Sequence, residues 1–188
     1  MCGRYTLAMS QAQVSAYFAT GIAHDGLWTW EPNWNLSPGI VAPVVALNGE
    51  GQRSLVPMRW GLHPHWRSEM PQGRPLFNAR IETAFEKASF RTPWKRRRAL
   101  IPANGWYEWT GEKRRKTAWR IRPKDAGLLW FAAISDTWVA PGGLSLPQVA
   151  TVTCPPNGDV APIHHRMGVL LAAADVPLWL NGTQEQVT

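Results

Sequence analysis

Cys2 is the residue of this chain whose position offers the most chemistry. Initiator methionine is normally removed when the next side chain is small, so we expect Cys2 to carry a free α-amine beside its thiol. An α-amine titrates at roughly 7.7–8.0, so at neutral pH roughly a tenth of it is the uncharged nucleophile. Such an amine condenses with an aldehyde, and the thiol can then close a thiazolidine ring. The plainer alternative is a cysteine that merely follows the start codon.

Glu108 is a candidate general acid or base. It lies in a strand-like run between Tyr107 and Trp109, and the alternation of a strand places it on the face of Trp106, opposite those two rings. A carboxylate among aromatic rings suits proton transfer. The alternative is a surface glutamate paired with the neighbouring lysines and arginines.

Two more polar residues stand among apolar runs. His164 follows Pro162 in a predicted loop, and an imidazole titrates near the working pH, although a loop histidine can also be exposed and idle. Asn78 could hydrogen-bond a substrate or orient an amine. Its alternative is the N-cap of a helix predicted just after it.

Charge and aromatic content favour a polyanionic partner. The net charge is +7, and 12 of the 20 lysines and arginines fall between Arg91 and Lys124, where Glu108 and Glu112 are the only acids. Basic clusters of this size attract nucleic acid, although many are solvated surface. The 12 tryptophans can serve as base-stacking platforms or as core. Arg4 and Arg80 are natural phosphate contacts.

Composition excludes several classes of protein. Two cysteines are too few for a disulfide scaffold or a four-ligand zinc site, so we expect no metal and no cofactor. No secretory signal or membrane-length apolar run occurs. We therefore expect a soluble monomer in a reducing compartment, the cytoplasm or the nucleoid.

Many short elements, separated by 16 prolines and 16 glycines, predict an α+β fold. Helices are predicted at residues 10–20, 81–87 and 175–180, with Val14, Tyr17 and Phe18 on one face of the first. Strands are predicted at residues 40–47, 54–60, 98–101, 106–110, 117–121, 128–134, 148–154 and 168–171, with a hairpin turn at 48–51. Without regular strand–helix alternation, we expect one domain spanning residues 1–188, with a mixed, barrel-like sheet and a few flanking helices.

The polar segments occur in an order that resembles the SOS-response-associated peptidase family, the abasic-site processing proteins. The matching segments are Met-Cys-Gly-Arg at 1–4, Asn-Leu-Ser-Pro at 35–38, Met-Arg-Trp-Gly-Leu-His-Pro-His-Trp at 58–66, Asn-Ala-Arg-Ile-Glu-Thr at 78–83, Ile-Pro-Ala-Asn-Gly-Trp-Tyr-Glu-Trp at 101–109 and Ala-Pro-Ile-His-His-Arg-Met at 161–167. Together they cover nearly the whole chain.

The resemblance implies a function and a set of residues. Family members bind single-stranded DNA and form a stable DNA–protein crosslink with the ring-opened aldehyde of an abasic site; they are also described as peptidases. The implied catalytic residues are Cys2, Asn78, Glu108 and His164. The implied DNA contacts are Arg4, Arg80 and Arg166 at phosphates and Trp66 stacked on, or wedged between, bases.

Some positions depart from the family pattern, and two other functions stay open. The family often has aspartate where this chain has Asn104 and His165, and phenylalanine where it has Trp106, so two histidines compete for the catalytic role and the motif favours His164. One alternative is a cysteine peptidase that uses the Cys2 thiol with His164 as base. The other is a non-catalytic nucleic-acid-binding module. Slow ring closure would also permit β-elimination and weak strand nicking.

Overall fold

The computed structural model of the chain describes residues 3–18, 21–22, 28–69, 75–112, 114–125 and 127–187. The strands are β1 (Tyr5–Leu7), β2 (Gly21–Ile22), β3 (Asn33–Leu36), β4 (Val41–Leu47), β5 (Arg53–Trp60), β6 (Asn78–Arg80), β7 (Arg98–Ala103), β8 (Gly105–Thr110), β9 (Thr117–Ile121), β10 (Leu129–Val139), β11 (Ser145–Cys154) and β12 (Met167–Gly168). The helices are α1 (Gln11–Phe18), α2 (Ala88–Arg96) and α3 (Val176–Asn181), and a 3-10 turn, Ala173–Asp175, precedes α3. The predicted α+β class is confirmed. None of the helices in the described ranges has the length and apolarity of a membrane span.

Five strands close into a barrel. They follow the order β5, β4, β7, β10, β11, and β11 returns to β5 through a parallel pairing of Gln148 with Arg59 and of Val149 with Trp60. The strand interiors are rich in alanine, valine and leucine, and their inward side chains are fully buried. The barrel-like sheet expected from the sequence is therefore confirmed.

The β4–β5 hairpin forms where the sequence predicts it. The Asn48 side-chain oxygen accepts hydrogen bonds from the backbone of Glu50 at 3.0 Å and of Gln52 at 2.9 Å, which folds the turn on itself. Gly51 adopts a φ of 76°, in the left-handed region that glycine occupies without strain.

A second, four-stranded sheet packs on the barrel. Its order is β3, β1, β8, β9. Tyr5 meets Trp60 edge-on with ring centroids 5.2 Å apart, and Trp106 meets Phe131 in the same way at 5.5 Å. We call the side of this sheet that carries Tyr5 and Trp106 the inner face and the opposite side the outer face.

Some local predictions need correction. Residues 81–87 form consecutive turns and no helix, and the helix begins at Ala88 instead. Pro93 and the basic residues around it obscure α2 in the sequence, yet Phe90 and Trp94 bury one face of that helix. Tyr17 was expected on the buried side of α1 and is exposed.

Other elements match with shifted ends. The predicted helix at 10–20 is observed as α1, and residues 19 and 20 lie outside the described residues. β10 and β11 are longer than predicted, and β12 is shorter, continuing only as a bridge between Leu170 and Phe131. The short strands β1, β2, β3 and β6 were not predicted.

The barrel core should dominate stability. Leu100 of β7 is fully buried, so Leu100→Ala should lower the free energy of unfolding by about 2–5 kcal/mol through lost burial and a residual cavity. Leu144, in the exposed turn before β11, is the matched control and should change it by less than about 0.5 kcal/mol. Urea titration followed by circular dichroism measures both; equal effects would contradict this account of the core.

Candidate active site

Glu108 is buried on the inner face of β8. Its side chain is 2% exposed, and Trp106, two residues earlier, is buried on the same face. The alternation read from the sequence is therefore confirmed, and the alternative of a surface glutamate is wrong. A carboxylate this deeply placed needs polar partners, because burying an uncompensated charge is costly.

His164 reaches Glu108 from a loop. The loop turns through backbone bonds from Ile163 and His164 to the Val160 carbonyl, at 2.8 and 2.9 Å. The His164 side chain is 19% exposed, and its Nε2 lies 3.9 Å from Oε2 of Glu108. This separation is longer than a hydrogen bond and within ion-pair range. The structure therefore brings together two residues that are 56 positions apart in the sequence.

The Arg166 backbone accommodates both protonation states of His164. Its N–H lies 3.1 Å from Nδ1 of His164, and its carbonyl oxygen lies 3.0 Å from the same atom. The amide can donate to an unprotonated Nδ1, and the carbonyl can accept from a protonated Nδ1, in the neutral ring or in the imidazolium. Either state of Nδ1 therefore has a backbone partner without movement of the ring.

His165 stacks on His164 but points to solvent. The ring centroids are 4.3 Å apart with planes at 30°, and the side chain is exposed. The charge of His164, followed by desolvation and the charges of Arg166 and Arg80, lowers the pKa of His165. Of the two histidines, His164 is the one that the structure pairs with Glu108.

Asn78 and Arg80 are carried by β6. This strand runs parallel to β11, with Asn78 opposite Thr151 and Arg80 opposite Thr153. Asn78 therefore begins a strand, and its alternative as a helix N-cap is wrong. Arg80 is exposed at the far end of β6.

Arg166 and Arg4 are already engaged within the protein. The Arg166 guanidinium binds both Glu82 oxygens, one at 2.9 Å, and donates to the Thr153 carbonyl at 2.7 Å. The Arg166 hydrogen bond and charge lower the pKa of Glu82, against a smaller effect of burial. Arg4 donates to the Asn35 side chain at 2.7 Å. A phosphate contact stays a prediction for both arginines.

Trp66 stands exposed in a loop fixed to the barrel. Its indole is 52% exposed and meets the ring of His65 edge-on. Nδ1 of His65 lies 3.3 Å from the buried carboxylate of Asp136, which also binds Arg97. Trp138 donates to the Arg67 carbonyl at 2.7 Å. Because these contacts hold the loop against the barrel, Trp66 presents an apolar ring in a fixed position.

Trp119 is a site residue that the sequence analysis missed. It is the cross-strand neighbour of Glu108 on β9, and it is 47% exposed. Its indole N–H donates to the Thr110 hydroxyl at 2.8 Å, which fixes the ring toward Thr110, two residues after Glu108 on β8. The sequence could have indicated Trp119 only through the register of the β8–β9 hairpin, because that register sets which residue of β9 lies opposite Glu108.

Cys2 lies outside the described residues, so its expected role stays a prediction. Gly3 and Arg4 follow it directly and lead into β1, the neighbour of β8.

Among the residues that the structure describes, no cluster of three metal-ligating side chains occurs. Arg98, one of the 12 cations of the basic stretch, is buried and donates to the Trp94, Trp179 and Gly182 carbonyls, so it supports the fold.

Comparison with known proteins identifies the family. The model of the SOS response associated peptidase (SRAP) family matches residues 1–188, and the chain belongs to this family. It is 34% identical over 188 residues to abasic site processing protein YoqW of Bacillus subtilis (strain 168), covering 96% of this chain and 80% of that protein. Abasic site processing protein YedK of Escherichia coli (strain K12) is 29% identical over 183 residues, with coverage of 96% and 80%.

Solved structures share the fold. A protein from Bacteroides thetaiotaomicron superposes with a TM-score of 0.86 at 21% identity, over 99% of this chain and 84% of its own. A protein from Bordetella bronchiseptica superposes with a TM-score of 0.84 at 22% identity, over 99% and 91%.

Proposed function

We propose that this protein processes abasic sites in single-stranded DNA by capturing their aldehyde covalently on Cys2. The observation that carries the proposal is the buried carboxylate of Glu108, 3.9 Å from the His164 imidazole, in a chain whose second residue is cysteine. The names of YoqW and YedK, both abasic site processing proteins, support abasic sites as the substrate. Removal of Met1 is a premise of the proposal.

DNA binding rests on charge and stacking. Arg80, exposed beside the site, would contact a phosphate, and Arg166 would join it by exchanging Glu82 for the DNA. Arg4, held by Asn35, would contact a phosphate farther along the strand. Trp66 would stack on a neighbouring base, which is sequence-tolerant because every base has a π-face. An abasic sugar carries no base, so it could enter a pocket that an intact nucleotide cannot fill.

The chemistry balances without a cofactor. The uncharged amine of Cys2 adds to C1′ of the open aldehyde, and the former carbonyl oxygen takes a proton to give a carbinolamine. Loss of that oxygen as water gives an imine. The thiolate then adds to the imine carbon, the nitrogen takes a proton, and the thiazolidine closes. The net reaction joins amine, thiol and aldehyde with release of one water. Ring closure is intramolecular, and effective molarities can reach ~10⁵ M or more.

Glu108 and His164 would move the protons. A hydroxyl or carbinolamine oxygen between Oε2 of Glu108 and Nε2 of His164 could receive a proton from one group while the other accepts one. The Arg166 backbone contacts of Nδ1 suit His164 to either protonation state. Asn78 would orient the amine through its side-chain amide.

A denaturing gel tests the proposed function. Purified protein is mixed with three oligonucleotides of one sequence: one with a natural abasic site, one with the tetrahydrofuran analogue that has no aldehyde, and one intact. We expect a heat- and SDS-resistant adduct with the first alone. Adducts with all three would point to non-specific crosslinking, and adducts with none would refute covalent capture. Turnover of peptides with no adduct would favour the cysteine-peptidase alternative.

Trp119 is expected to help bind the DNA strand beside the reactive site. Trp119→Ala should raise the dissociation constant for abasic DNA by about tenfold, because one base-stacking surface is lost. The crosslinking rate at saturating DNA should stay within about twofold, because the ring takes no part in proton transfer. Rapid-quench crosslinking over a range of DNA concentrations separates the two quantities. Tyr17→Ala, another exposed aromatic, is the control; a loss confined to the rate at saturation would contradict a role in binding.

A further inference from the structure

Exposed tryptophans concentrate on the four-stranded sheet. Among the described residues, the exposed tryptophans are Trp34, Trp66, Trp109 and Trp119, and all except Trp66 lie on β3, β8 or β9. Trp119 faces the site, whereas Trp109 shares the other side of β8 with Tyr107. Large exposed aromatic side chains that share one face of a sheet mark an interaction site on that face.

The strand register builds a cationic and aromatic row across the outer face. Tyr107 of β8 is the cross-strand neighbour of Arg120 on β9. On its other side, the Tyr107 amide donates to the Arg4 carbonyl at 2.9 Å, so Arg4 is the neighbour at the start of β1. Because side chains alternate along β8, this row lies opposite the face that carries Glu108.

Trp34 completes the group, which we name the outer-face cluster: Arg4, Trp34, Tyr107 and Arg120. The Arg120 guanidinium carbon lies 4.8 Å from the Trp34 ring centroid, and the indole is 55% exposed. Arg4 is held by Asn35, the residue after Trp34. The strands β1, β3, β8 and β9 contain one acid, Glu108, and it points away. The cluster therefore presents cations fixed beside aromatic rings, with no carboxylate of these strands on the same face.

We propose that the outer-face cluster is a binding surface for single-stranded nucleic acid outside the reactive pocket, with bases stacked on Trp34 and Tyr107 and phosphates bound by Arg4 and Arg120. A single strand alternates planar apolar bases with anions, which matches this alternation of rings and guanidinium groups. An acidic peptide would match only the cations. The inference rests on the proposed function, because Arg4 follows Cys2 by two residues and would link the cluster to the captured sugar.

Binding of an intact oligothymidylate tests the surface independently of the covalent chemistry. The dissociation constant of a short fluorescein-labelled strand is measured by anisotropy at several salt concentrations. Trp34→Ala should weaken binding about tenfold with an unchanged salt slope, because it removes stacking only. Arg120→Gln should also weaken binding and lower the slope by about 0.7, the value for one phosphate contact on a single strand.

The control variants distinguish this surface from the loss of any exposed aromatic ring or any positive charge. Trp34→Phe should keep most of the affinity, since a stacking ring remains. Tyr17→Ala and Lys87→Gln, exposed residues outside the four-stranded sheet and outside the basic cluster, should bind like the wild type. Wild-type affinity for Trp34→Ala, an unchanged slope for Arg120→Gln, or equal competition by polyglutamate would overturn the proposal. If the sheet binds as proposed but abasic DNA gives no adduct, the surface stands and only the proposed chemistry fails.

Discussion

Cys2→Ala should abolish the stable DNA–protein crosslink while leaving an imine that borohydride traps. Alanine also permits removal of Met1, so the α-amine remains available to the aldehyde. Without the thiol, the imine cannot close to a thiazolidine and is hydrolysed. The stable adduct should fall at least about a hundredfold, because an external thiol at ordinary concentration cannot replace an intramolecular one.

Two comparisons sharpen this result. Cys2→Ser keeps the size of the side chain but offers a weaker nucleophile, so it should behave like the alanine variant. Blocking the amine, by retaining Met1 or by acetylation, should remove both the stable and the trapped product. A Cys2→Ala protein with a full yield of stable adduct would exclude the thiazolidine and leave the amine alone as the reactive group.

Glu108→Gln should slow crosslinking by about 10²–10⁴-fold with little change in DNA affinity. The amide keeps the shape of the buried side chain but can no longer exchange a proton with His164, and general acid–base catalysis is worth about that factor. Single-turnover crosslinking at saturating abasic DNA gives the rate, and anisotropy with the tetrahydrofuran analogue gives the affinity. Glu112→Gln, the same change at an exposed position after β8, should affect neither.

A double variant tests whether Glu108 and His164 act together. If they form one proton path, adding His164→Ala to Glu108→Gln should cost far less than the product of the two single effects, as for other catalytic groups that work as a unit. Multiplicative losses would assign them separate tasks. Equal losses of rate and affinity in Glu108→Gln would instead identify a structural glutamate.

Local signals explain which elements were predicted from the sequence. The β4–β5 hairpin was found because Asn48 and Gly51 form a turn whose hydrogen bonds involve neighbours only. α2 was missed because Pro93 and the surrounding cations resemble a solvated loop, whereas burial of Trp94 stabilises the helix. Residues 81–87 have helical periodicity, and Ala84 is fully buried in the core, yet the backbone forms successive turns whose amides bond to the Arg80 and Thr83 carbonyls.

The candidate site could be predicted only in part, because local signals in the sequence do not determine which distant segments pack together. The face of β8 that carries Glu108 followed from alternation along one strand, whereas its burial stayed open beside the alternative of a surface glutamate. Its approach to His164 depends on how a distant loop packs, and the positions of Trp119 and Trp34 depend on strand register and sheet order. The family resemblance supplied residue types and their order along the chain. It could not indicate that Arg166 is bound to Glu82 or that Arg98 supports the fold.

The mass of the purified adduct tests the central claim most directly. The protein is incubated with abasic single-stranded DNA without reductant, and the intact crosslink is measured by mass spectrometry. Covalent capture by Cys2 predicts the mass of the chain lacking Met1 plus the oligonucleotide, less one water. An adduct that retains Met1, or the absence of any adduct from a chain that has lost it, would contradict the account.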